Sequence, residues 1–145
     1  LSGYNKTNAK AVFYYEGLTT SINASNKLFR QAYAMINTCN AVINRAENVK
    51  DGDASKIKVL VGEARTLCVY YYLVLVTQYG PVALTLDEAT NSILTPQRNT
   101  VGEIYAQIIS DFRTAAAGLD VNPFDDNYAC ISKKAALGLL TRSYA

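Results

Sequence analysis

The sequence has no histidine, which removes most familiar hydrolytic chemistry. Without an imidazole there is no Ser-His-Asp or Cys-His catalysis and no usual catalytic zinc site. A glycine-rich phosphate loop is also absent. Cysteine is scarce: Cys39, Cys68 and Cys130 are odd in number and widely spaced, with no C-x-x-C pair. They point neither to a disulfide framework nor to a zinc site. Each lies in or beside an apolar helical pattern and reads as a small buried residue. Charge of one sign is sparse too. The formal net charge is +2 and no basic cluster exceeds Lys133-Lys134, so nothing electrostatic favours nucleic acid or a membrane surface. Acidic pairs occur at Asp87-Glu88 and Asp125-Asp126. Adjacent residues on a loop do not flank a bond across a cleft, as glycoside hydrolysis requires. No catalytic constellation or cofactor motif remains, and the chain is not expected to be an enzyme.

What is present is apolar and helical. The chain has 145 residues, half of them hydrophobic and 18% charged, enough for one domain with a core. From Leu67 to Val76 ten apolar or aromatic residues follow one another. That run is too short for a membrane-spanning helix, which needs about 20. Periodicity alone leaves a buried strand or a fully buried helix, and Val and Tyr favour the strand. The context favours the helix. Lys56, Val59, Leu60, Glu63, Ala64 and Leu67 continue the run upstream with helical spacing, and Gly80-Pro81 ends it. We expect a central helix from about Asp53 to Tyr79, packed inside a helical layer because it is apolar all round.

Around it the pattern predicts four more helices, giving an all-α chain of about five helices with long intervening loops. The first runs from Asn8 to about Ile22. After a break at 23–26, a second runs from about Asn26 to Ala46, capped by Ser25, with Leu28, Ala32, Met35, Ile36, Cys39, Val42 and Ile43 as its apolar set. Past Gly80 the pattern disappears for about twenty residues. Loops of that length in compact domains are functional or packed down, and Val82 to Leu86 alternates as a short extended piece would. Thr100-Val101-Gly102-Glu103 forms a capping box that opens a helix through Ile104, Ile108 and Phe112 to near Gly118. The last helix follows Ser132, with Ala135, Ala136, Leu139, Leu140 and Tyr144 on its buried side.

The chain also resembles itself. Tyr33-Ala34-x-Ile36 recurs as Tyr105-Ala106-x-Ile108, and Ala64-x-x-Leu67-x-x-x-x-Tyr72 recurs as Ala136-x-x-Leu139-x-x-x-x-Tyr144, both at an offset of 72 residues. This is about twice the 34-residue tetratricopeptide period, so we expect two helical hairpins with close approaches at Ala64 and Ala136. Residues 1–145 then form a single helical-repeat domain. The chain opens on Leu1-Ser2-Gly3-Tyr4 and ends on Arg142-Ser143-Tyr144-Ala145 inside a helical pattern. It therefore reads as a fragment of a longer protein, and missing targeting signals carry no information on location.

One cluster suits a ligand. Phe124, Asp125, Asp126, Asn127 and Tyr128 combine aromatic faces with carboxylates and an amide, the groups that engage the apolar faces and hydroxyls of a sugar. The competing reading is a solvated turn with two aromatics tucked into the core. The same acids lack the spacing of a calcium loop. The eleven tyrosines read mainly as core or helix–helix contacts with the hydroxyl reaching a partner.

Four segments in order carry a family resemblance. Gly62-Glu63-Ala64-Arg65 with Tyr71-Tyr72, Leu75-Val76 and Tyr79-Gly80 resembles the signature segment of the SusD/RagB family. Tyr33-x-x-Ile36-x-x-x-Asn40-x-x-Ile43 is similar to the helix before it. Pro96-x-Arg98-x-Thr100-Val101-x-Glu103-x-Tyr105-x-x-Ile108-x-x-Asp111 is similar to the segment after it, and Lys134-x-Ala136-x-x-x-Leu140-x-x-x-Tyr144 to the next helix. The resemblance covers about residues 28–145 and implies tetratricopeptide-like hairpins in a non-catalytic, glycan-binding lipoprotein of the outer membrane. Such a protein would sit on the cell-surface side, held by a lipid outside this chain. It would cap a SusC-like TonB-dependent transporter and pass it an oligosaccharide. Glu63 and Arg65 would be structural. The alternative is an independent helical-repeat adaptor that binds a protein or peptide in a groove.

Overall fold

The computed structural model describes Tyr14 and residues 23–46, 48–91, 96–124 and 127–145. Its regular structure there is all α-helical: α1 (Asn23–Ala46), α2 (Ala54–Tyr79), α3 (Val101–Gly118) and α4 (Lys133–Tyr144). The helix expected over Asn8–Ile22 lies outside the described residues except for Tyr14, which is helical and exposed. The other four expected helices are present. α1 starts at Asn23, so the expected break is helical and Ser25 lies inside the first turn instead of capping it. The segment contains no Gly or Pro to stop a helix, and the preference of Asn and Ser for caps is weak enough for tertiary contacts to override. One such contact is on Ser25 itself, whose carbonyl accepts the Tyr79 hydroxyl at 2.7 Å.

Three helix starts follow the local chemistry. Asp53 accepts from the Ser55 backbone N–H at 2.9 Å. Thr100 and Glu103 complete the capping box reciprocally, and Ser132 accepts from Ala135. Gly80 ends α2 at φ 70°, a left-handed conformation that favours glycine, while its N–H still bonds the Val76 carbonyl.

The helices pack in chain order, with α2 between α1 and α3, and α4 against α3. The main core joins Ala32, Ile36 and Cys39 of α1 to Cys68, Val69, Tyr72, Leu73, Leu75 and Val76 of α2 and to Ile104, Ile108 and Phe112 of α3. A second core joins Val59, Ala116, Leu119 and Ala136. Of the matching positions of the internal repeat, Ile36 and Ile108 are both buried, as are Ala64 and Ala136, whereas Tyr72 is buried and Tyr144 exposed. α2 and α3 approach closely at Gly62. A Cβ there would stand 2.9 Å from Leu119 Cγ and 3.3 Å from the Ala115 carbonyl oxygen.

Two expectations about burial change. α2 is apolar all round, yet Leu60, Leu67 and Tyr70 on one side of it are exposed. Leu67, at 39% exposure, is not a core residue, whereas Leu75 is completely buried. On α4 the buried residues are Ala136 and Ser143, with Ala135 and Tyr144 exposed and Leu139 and Leu140 half-buried. α2 is long and apolar enough to cross a membrane, but over half of its apolar window is buried inside the molecule.

Substituting Leu75→Asp places an unpaired charge in the core and is expected to abolish the cooperative thermal transition. Leu67→Asp, on the exposed side, is expected to leave it within about 1 kcal/mol of the parent. Circular-dichroism melting of both variants checks the assignment, and equal loss in both contradicts it.

Candidate functional site

The segment between α2 and α3 contains no helix or strand among its described residues, yet the core holds it down. A buried irregular backbone must find partners for its N–H and C=O groups, and here side chains supply them. The Tyr72 hydroxyl accepts from the Thr85 N–H at 2.7 Å and donates to the Thr85 carbonyl at 3.0 Å. Asn40 Nδ2 donates to that carbonyl at 2.8 Å and to the Asp87 carbonyl at 3.1 Å. The Cys68 thiol donates in turn to Asn40 Oδ1 at 3.6 Å. Tyr33 donates to the Ala83 carbonyl at 2.8 Å. Asn37 Oδ1 accepts from the Ala89 N–H at 2.7 Å, and Arg45 pairs with Glu88. The alternation expected over Val82 to Leu86 gives a buried Val82 but an exposed Leu86. Burial pushes the Tyr72 hydroxyl up to about 12 and, with help from Cys39 and Asp111, the Cys68 thiol up to about 12. Cys39 and Cys68 are free, buried thiols.

Held this way, the segment forms one wall of a groove of about 680 Å³ whose other wall is the first half of α1. Phe29, Tyr33 and Tyr79 meet in its lining. The Phe29 ring lies 4.9 Å from Tyr33 and 5.2 Å from Tyr79, nearly perpendicular to the latter. Such tilted and edge-on contacts fix ring orientation. Arg30, Asn91 and Arg98 stand exposed around them. Ring faces bordered by guanidinium and amide groups can accept the apolar face of a sugar while bonding its oxygens. Sequence reasoning did not assemble this group. Phe29 and Tyr33 are one helical turn apart on α1, but Tyr79 and Arg98 join them only through the packing of α1 on α2 and the path of the loop.

Of the five residues singled out from sequence, the three that are described lie elsewhere. Phe124 packs half-buried against the second core. Asn127 Oδ1 accepts from the Ala129 N–H at 3.0 Å, and Tyr128 is 93% exposed. Asp125 and Asp126 lie outside the described residues. Glu63 and Arg65 make structural contacts. Glu63 Oε1 accepts from the Ile131 N–H at 2.7 Å, tying α2 to the entry of α4. Arg65 approaches Asp111 of α3 at 4.0 Å.

The family model described as "Starch-binding associating with outer membrane", of the SusD-like type, matches residues 4–145. Among solved structures, a SusD superfamily protein from Parabacteroides distasonis has a TM-score of 0.83 at 24% identity, over 97% of this chain and 30% of its own. Surface glycan-binding protein A from Bacteroides uniformis has a TM-score of 0.77 at 22% identity, over 94% and 30%. A laminarin-binding SusD-like protein has a TM-score of 0.75 at 24% identity, over 81% and 25%. These likenesses are of fold, and this chain spans less than a third of each of those structures. No curated protein matches it.

Removing the Tyr72 hydroxyl (Tyr72→Phe) leaves the Thr85 N–H without its partner and is expected to cost about 1–3 kcal/mol, with faster proteolytic cleavage between Pro81 and Asn99. A raised folded-state pKa means the neutral form is favoured by folding. That contribution is complete below the unfolded tyrosine value of 10.0 and is lost as pH rises through about 12. Urea titrations between pH 9 and 12 are expected to show stability falling with pH, less steeply in Tyr72→Phe. An identical slope in the variant contradicts this.

Proposed function

Because this chain belongs to the SusD-like family of starch-binding proteins associated with the outer membrane, we propose that it is the helical part of a non-catalytic carbohydrate-binding protein on the cell-surface side of that membrane. In this reading it works with a SusC-like TonB-dependent transporter, presents an oligosaccharide to it, and is held by a lipid outside residues 1–145. The observation that carries the reading is the family match across nearly the whole chain. The aromatic groove between α1 and the loop supports it, since its rings and polar rim have the chemistry a sugar needs. Relatives in fold include a laminarin-binding protein and a surface glycan-binding protein. The helices serve as scaffold and as a surface for the transporter, and residues 1–145 act as one helical unit of a longer protein. The cluster Phe124, Asp125, Asp126, Asn127 and Tyr128 is a second candidate contact for sugar, through the exposed Tyr128.

Two measurements test this. Affinity purification of the full-length protein is expected to bring down the β-barrel encoded beside it. A panel of plant and microbial oligosaccharides is expected to contain at least one that binds. If no barrel co-purifies and no saccharide binds, the reading fails.

A further inference from the structure

The rim of the groove is charged in one direction only. Arg30 enters it from α1 and Arg98 from the far end of the loop. Neither guanidinium has an acidic partner among the described residues, where the ion pairs are Arg45 with Glu88 and Arg65 with Asp111. Among the described residues, none that lines the groove carries a carboxylate. Both arginines are exposed, and the loop is held by other side chains, Tyr33, Asn37, Asn40 and Tyr72. The chain as a whole is close to neutral, at +2, so this pair is a local feature and not part of a general basic surface. The same groove is lined by Phe29, Tyr33 and Tyr79, with the Phe29 ring in contact with both tyrosines.

A neutral oligosaccharide would use the rings and offer both guanidiniums only uncharged hydroxyl oxygens. A saccharide carrying carboxylates would use both parts at once, since arginine bonds carboxylate through a planar fork that gives direction as well as charge. We infer that the groove selects acidic oligosaccharides, with uronate carboxylates bonded by Arg30 and Arg98 and a sugar face laid on Phe29. This rests on the carbohydrate-binding reading above and adds to it the class of sugar and the residues that choose it.

The test uses the full-length protein with oligogalacturonate as the acidic probe and maltoheptaose as the neutral one, by isothermal titration calorimetry. Oligogalacturonate is expected to bind more tightly, and its affinity is expected to fall as salt rises from about 0.05 to 0.5 M, as screening requires. The double variant Arg30→Gln with Arg98→Gln is expected to lose about tenfold or more for the acidic probe, with a much smaller loss for any neutral glycan and an unchanged melting temperature. Phe29→Ala is expected to weaken binding without altering its salt dependence. Acidic and neutral probes binding equally, or a double variant that keeps its affinity, overturns the acidic selection but leaves the carbohydrate reading standing. A double variant that melts at lower temperature without losing affinity also overturns it, because the arginines would then hold protein instead of ligand. Failure of every saccharide to bind overturns the acidic selection, and together with no barrel co-purifying it removes the carbohydrate reading as well.

Discussion

The structure depends on satisfying a long stretch of irregular backbone against a helical core. The segment after Gly80 has no ladder or helix to absorb its N–H and C=O groups, and a buried unpaired group costs on the order of a hydrogen bond or more. Tyr72 and Asn40 resolve this by reaching out of the core and bonding Thr85 and Asp87. Each does so from a nearly fully buried position, where hydrogen bonds are least disturbed by water. No buried side-chain polar atom among the described residues lacks a partner. Helices and loop therefore stand as one body.

That arrangement also explains why two polar residue types recur in this part of the chain. Asn37 and Asn40 lie one helical turn apart on α1, and both point their amides at the loop. Tyr33, a turn earlier, does the same with its hydroxyl. An amide can donate and accept at once, which suits a backbone that offers both kinds of group. Leucine at these positions would bury well and leave the loop unpaired. The groove is a consequence. It lies between a helix face and a loop held at a fixed distance, so its width follows from the clamp.

The opposite flank of α2 works by shape instead of polarity. Gly62 lets α3 approach until Leu119 and the Ala115 carbonyl fill the space a side chain would occupy. Glu63 and Arg65, next to it, link α2 to α4 and α3. The signature stretch thus serves packing on one side and anchoring on the other. This is why its charged residues end in structural contacts while the exposed aromatic and basic groups gather across α1.

The all-α class, four helix positions and the capping box at Thr100 were legible because local rules govern them: hydrophobic period, side-chain caps and glycine at a left-handed turn. The central helix was legible for the same reason, although its composition also suits a strand. Which side of that helix faces water was not, because a segment apolar all round carries no period to reveal it. Leu67 and Leu75 look alike in sequence and differ only in whether a neighbouring helix covers them. The helical path of 23–26 was hidden because weak local preferences yield to contacts such as Tyr79 on Ser25. Family kinship too came from local patterns kept in order along the chain. The groove came from tertiary structure alone. Phe29, Tyr79 and Arg98 are far apart in sequence, and only helix pairing and a clamped loop bring them to one place.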